Sequence, residues 1–197
     1  MPIPRIGERA PSFRLPAAQG GEIGLDDFIH RRAVIVWFTK GMACAFCRQQ
    51  MSQIARAYPR IKDHNAEVLE ITNSTLARAR FYARRFTLPF PYLCDPDRRV
   101  RRAWGVEKRD HGPAYYVKTF MVASRMPHPA NDFGDFNPSL TELPSALADE
   151  DMGFFIVDRA GVVRYALTGA YIHDTDVRQL PGPDEIIREL ERCAAAA

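Results

Sequence analysis

The chain of 197 residues reads as one α/β domain, a mixed central sheet with helices on both faces. Three observations predict this class. Two apolar, strand-like blocks are separated by an amphipathic helical stretch, a second helical stretch follows, and a strand hairpin with a closing helix ends the chain. A right-handed crossover through the first helix makes the first two strands parallel. The hairpin then has to add antiparallel strands, and the helices need both sheet faces to bury their apolar stripes.

The elements follow in order. Val34, Ile35, Val36, Trp37 and Phe38 form an apolar block of buried-strand length. From Cys47, apolar side chains recur at Met51, Ile54, Ala55, Tyr58 and Ile61, the spacing of one helix face. Pro59 is expected to kink or end that helix. Residues 66–72 read as a second buried strand. Asn73 or Ser74 can cap a helix running to about Phe86, with Leu76, Ala79, Ala83 and Phe86 inward. Pro89 and Pro91 restrict residues 88–94 to an extended piece at a sheet edge or outside the sheet. Asp95, Pro96 and Asp97 turn into a short helix ending near Trp104 and Gly105. Residues 154–158 and 162–167 flank a turn containing Gly161, a hairpin pattern. The last helix opens on Pro183, with Asp184 and Glu185 in its first turn and Ile186, Ile187, Leu190 and Cys193 on its apolar face.

Bulk composition sets limits. Apolar residues make up 46% of the chain and charged residues 26%, with a net charge of +3, the profile of a globular domain able to bury a substantial core. Arginines cluster at 78, 80, 84 and 85 and again at 98, 99, 101 and 102. Both clusters interleave with helical apolar positions, so they read as solvated helix faces, and nucleic-acid binding is not expected. No segment approaches the roughly 20 apolar residues of a membrane span. The first residues lack the apolar core of a signal peptide. The expected location is therefore a reducing cytoplasm, where a structural disulfide is unusual and a catalytic one is at home.

The most informative stretch is Cys44, Ala45, Phe46 and Cys47, placed where the first strand turns into the first helix. There, unpaired backbone N–H groups and the positive end of the helix dipole favour a thiolate. A Cys-x-x-Cys pair so placed can have one thiol pKa lowered from about 8.5 to roughly 3.5–7. A structural zinc site would need four ligands. Cys94 and Cys193 are distant in sequence and form no second pair. Inert, buried thiols are the other alternative, and the turn location argues against it. The pattern supports a reactive dithiol, with no metal or cofactor expected.

That element order, with Cys-x-x-Cys after the first core strand, resembles the thioredoxin fold. The flanks are similar to the peroxiredoxin superfamily (alkyl hydroperoxide reductase/thiol-specific antioxidant): Gly7, Ala10, Pro11, Phe13 and Leu15 as an N-terminal extension leading into a short hairpin, then Leu25 and Phe28, residues 88–91, Asp95 to Asp97, and residues 103–106. Several short signatures in the right order are more specific than any one, and they cover about three quarters of the chain. The chain also departs from the family. The family's Pro and its Thr or Ser before the peroxidatic Cys fall at Trp37 and Gly41, and its activating Arg falls at Met152. Residues 40–47 resemble instead the peroxiredoxin-like branch with a thioredoxin-style dithiol. Gly153 falls where thioredoxins place a cis-proline beside the reactive sulfur; a glycine there either lets the backbone approach Cys44 or relieves strand packing.

The resemblance implies a thiol peroxidase, a thiol–disulfide oxidoreductase, or a redox-sensing module. The expected substrate is a peroxide or a disulfide, and the expected reductant a thioredoxin-like protein or small thiol. Cys44, at the loop end, is the expected nucleophile and Cys47, on the helix, the resolving thiol. Lys40, and more weakly Arg48, could lower the Cys44 pKa; a lysine there could equally just solvate the loop. Cys94 and Cys193 are alternative resolving thiols or incidental buried cysteines. Residues 107–150 form a long insertion rich in aromatic residues, prolines and glycines before the final hairpin. It is expected to pack on the body, either covering the dithiol edge or forming the surface of a homodimer.

Overall fold

A computed structural model of the chain describes residues 2–42, 44–106, 117, 121, 152–168, 172–173, 176–177 and 181–195. The insertion at 107–150 therefore falls outside the described residues apart from two isolated positions. The chain begins with a hairpin, β1 (Arg14–Pro16) and β2 (Glu22–Gly24), followed by a 3-10 turn at Leu25–Asp27. Next come β3 (Ala33–Thr39), α1 (Ala45–Asp63), β4 (Ala66–Thr72), α2 (Leu76–Arg85), β5 (Tyr92–Cys94) and α3 (Arg99–Ala103). The hairpin β6 (Gly153–Val157) and β7 (Val163–Thr168), a small pair β8 (Ile172–His173) and β9 (Asp176–Val177), and α4 (Pro183–Ala195) complete it.

The central sheet has the order β5-β4-β3-β6-β7. β3, β4 and β5 are parallel to one another, while β6 and β7 are antiparallel, as the crossover and hairpin patterns require. The proline-limited segment supplies the edge strand β5. Because side chains alternate along each strand, the sheet divides its buried residues between two layers. One layer joins Ile35, Trp37, Val68, Tyr92, Phe154 and Ile156 to the inner faces of α1, α2 and α4. The other joins Val36, Phe38, Leu69, Ile71 and Phe155 to α3 and the N-terminal segment. Trp104 anchors that second layer, its ring 4.9 Å from Phe155 and 5.8 Å from Phe38.

Two boundaries differ from expectation. Pro59 does not end α1, which continues to Asp63. Losing one intrahelical hydrogen bond is offset by what the following turn gains: Ile61 is fully enclosed, and Lys62 Nζ donates to Glu67 at 2.8 Å. The cap of α2 is Thr75, whose hydroxyl accepts from the Arg78 amide at 3.4 Å. Ser74 is occupied elsewhere, hydrogen-bonded to Thr72.

Candidate active site

β3 ends at Thr39 and α1 begins at Ala45, so the intervening loop lies at the carboxyl edge of the parallel strands, where α/β sheets build their sites. Gly41 gives the turn its shape with φ of 77°. A Cβ there would lie 2.5 Å from Thr72 Oγ1 and 2.8 Å from the Tyr92 hydroxyl. The Gly41 carbonyl accepts from the Cys44 amide at 3.1 Å, closing the turn. Cys44 is the N-cap of α1, extended at φ −87° and ψ 119°, and its sulfur accepts from the Cys47 amide at 3.4 Å. A sulfur in this position takes one of the orphan donors of the helix start, an interaction that strengthens when the sulfur is negative.

The two thiols are not equivalent. Cys44 keeps 7% of its surface exposed and Cys47 none. Burial, then the hydrogen bond to Cys44 and the negative charge of Cys44, push the Cys47 thiol well above its ordinary range. The Lys40 backbone and the Lys40 charge pull the other way with smaller effect. The pair is therefore unequal, Cys47 being the thiol held to its proton by burial and by its neighbour. The Cys47 sulfur also contacts Met152 Sδ at 3.7 Å.

Other candidates are placed as follows. Burial raises Cys94 to about 11 against the opposing charge of Arg80. Cys193, also raised to about 11 by burial, lies beside Ala33 and Asp158 at the opposite end of the sheet from the redox loop. All four cysteines are free thiols. Gly153 pairs with Phe38, and a Cβ on it would meet Val106 Cγ2 at 2.7 Å on the face away from α1. The glycine thus accommodates packing of the second layer, and the residue that touches the dithiol is its neighbour Met152. Arg48 carried only a weak signal in the sequence, and the burial of Glu70 carried none. Arg48 is buried and donates from Nη1 to the Met42 carbonyl at 2.7 Å, placing a guanidinium against the loop. Glu70 is a fully buried carboxyl on β4, accepting from the Thr39 hydroxyl at 2.9 Å. Among the described residues no cluster of His, Cys, Asp or Glu is arranged to hold a metal ion.

A dithiol at the strand-to-helix edge of such a mixed sheet defines a thioredoxin-like redox fold. Within that class the chain belongs to the AhpC/TSA family, which residues 6–131 match. A putative peroxiredoxin of Mycobacterium tuberculosis is 32% identical over 108 residues, 54% of this chain and 68% of that protein. The chloroplastic peroxiredoxin Q of rice (Oryza sativa subsp. japonica) is 31% identical over 100 residues, 51% of this chain and 46% of that protein, so the match spans about half the length of each. In three dimensions the chain is similar to peroxidoxin BcpB of Mycobacterium tuberculosis, with a TM-score of 0.65 at 14% identity over 98% of this chain and 99% of that one. It is equally similar to the reduced 2-Cys peroxiredoxin of Plasmodium vivax, with a TM-score of 0.65 at 15% identity over 97% of each chain. At these identities the structural likeness concerns the fold.

Proposed function

We propose that the protein is a thiol-dependent peroxidase in which Cys44 is the attacking thiolate and Cys47 the resolving thiol. The observation that carries this is the unequal pair at the start of α1: the sulfur of Cys44 accepts from the Cys47 amide, and burial raises the Cys47 thiol well above its ordinary range. Cys44 thiolate attacks a peroxide oxygen, the O–O bond breaks, and the leaving oxygen departs as water or an alcohol once protonated. The sulfenic acid left on Cys44 then meets the Cys47 thiol. A sulfur–sulfur bond forms, the sulfenic oxygen leaves as water, and the Cys47 proton goes with it. A thioredoxin-like protein or small thiol supplies the two electrons and two protons that restore the pair.

A second reading has a specific observation behind it. Residue 41 is a glycine and residue 152 a methionine, so neither offers the hydroxyl or guanidinium that the family sets beside its peroxide. That favours attack on a disulfide sulfur instead. A reducing compartment such as the cytoplasm would keep either dithiol poised, although relatives named as chloroplastic belong to the same family. No described helix is long and apolar enough to cross a membrane. Stopped-flow oxidation of the reduced protein, with hydrogen peroxide and with a model disulfide, separates the two readings. Faster consumption of peroxide, abolished in Cys44→Ser, supports the peroxidase; oxidation by the disulfide alone supports the oxidoreductase.

A further inference from the structure

The interior beneath the redox loop holds an acid that the thiol chemistry above does not use. Trp37, Glu70 and Tyr92 stand in register across β3, β4 and β5. All three are fully buried on the face covered by α1. Two of them carry a polar atom with no hydrogen-bond partner, Trp37 Nε1 and Glu70 Oε2, while the Tyr92 hydroxyl is influenced by Thr72 and Ser74. Buried polar groups are nearly always paired, so two orphans side by side call for a reason. A carboxyl in such a place destabilises the fold unless something else requires it.

A continuous path leads from that carboxyl to the dithiol. The Thr39 hydroxyl donates to Glu70 Oε1 at 2.9 Å and accepts from the Gly41 amide at 3.0 Å. The Gly41 carbonyl in turn accepts from the Cys44 amide at 3.1 Å. Thr39 is itself immobilised, because Arg101 Nη2 donates to its carbonyl at 2.6 Å. The Tyr92 hydroxyl completes the enclosure, 2.8 Å from where a Cβ on Gly41 would stand.

We infer that Glu70 is a positioning residue for the dithiol: through the Thr39 hydroxyl it holds the Gly41 amide, and a change in its charge is passed to the loop that carries Cys44. When the carboxyl is ionised, its bond from Thr39 becomes charge-assisted, and the polarised hydroxyl accepts more strongly from Gly41. When it is protonated, both bonds weaken together. Burial raises the carboxyl from 4.5 to about 8, opposed only by the Thr39 hydrogen bond. The groups facing it are Thr39 and Trp37 from β3 and Tyr92 from β5. Tyr92 is itself raised by burial and then by the Glu70 charge. From α1, Arg48 donates to the Met42 carbonyl and the Cys47 amide donates to the Cys44 sulfur.

The inference rests on Cys44 being the reactive thiol, and its test needs no peroxide. The rate of Cys44 alkylation by iodoacetamide, assigned by mass mapping, is followed against pH in the wild type, Glu70→Gln and Thr39→Val. The wild type is expected to show two steps, one for Cys44 itself and another near pH 8 for Glu70. Both variants are expected to lose the second step. If Glu70→Gln does not fold, Thr39→Val carries the test alone, since it leaves the acid in place and removes the link. A single step in the wild type, or a second step that survives in either folded variant, overturns the inference. A protein that alkylates in two steps but ignores peroxide would instead refute the peroxidase reading.

Discussion

The asymmetry between Cys44 and Cys47 arises from their positions three residues apart on one helix start. The first lies outside the helix and accepts its orphan amide; the second lies inside and is sealed under the loop. In Cys47→Ser the sulfenic acid has no neighbour to condense with, so a sulfenate-specific probe should label Cys44 stoichiometrically after peroxide, whereas the wild type should label weakly. Equal labelling of the two proteins would remove Cys47 from the scheme. Gly41 makes a different prediction. Its φ of 77° and the 2.5 Å from its Cβ position to Thr72 Oγ1 leave no room for a methyl group. Gly41→Ala should cost about 1–3 kcal/mol through strain alone, read as a lowered thermal midpoint with reduced Cys44 reactivity. The cysteines were legible in the sequence because their spacing and place at a strand–helix junction are local. The role of Glu70 and the contact of Met152 with Cys47 were not, and Arg48 was legible only weakly, because what matters about them is contact across 105 residues in one case and burial beneath another element in the others.

At the scale of elements, β3, β4 and the hairpin followed directly from apolar blocks and turn residues, and α4 from its Pro183 start and apolar face. Where expectation and structure parted, tertiary contacts outweighed local preference. Pro59 sits inside α1 because the turn beyond it buries Ile61 and sets Lys62 against Glu67. The cap of α2 moved to Thr75 because Thr72 had already taken Ser74. Thr75→Ala should therefore lower stability by about 1 kcal/mol, whereas Thr75→Ser, which keeps the accepting hydroxyl, should change it much less; chemical denaturation of the two variants distinguishes them. Comparable losses in both would mean that the cap lies elsewhere.

For the whole molecule, the parallel pairing of the first two core strands, the antiparallel hairpin and the two covered faces were predictable from the crossover rule and from the need to bury both sides; the full strand order was not. Nor was the polar row inside the sheet, since a glutamate among Val68, Leu69 and Ile71 offers no periodic signal of its neighbours. That glutamate should be visible in global stability. Its folded pKa of about 8 exceeds the ordinary 4.5, so the native state keeps a proton that the unfolded chain has released. Its contribution to stability should be greatest below pH 4.5, fall as pH rises, and level off above about 8. The difference in urea-denaturation free energy between the wild type and Glu70→Gln should follow that decline; a difference independent of pH across the interval would contradict the assignment. The most direct test of the central claim is to add one equivalent of hydrogen peroxide to the fully reduced protein and map the bond that forms. A Cys44–Cys47 disulfide formed within a single chain is the predicted product. A bond from Cys44 to Cys94 or Cys193, or four thiols left unchanged, would contradict it.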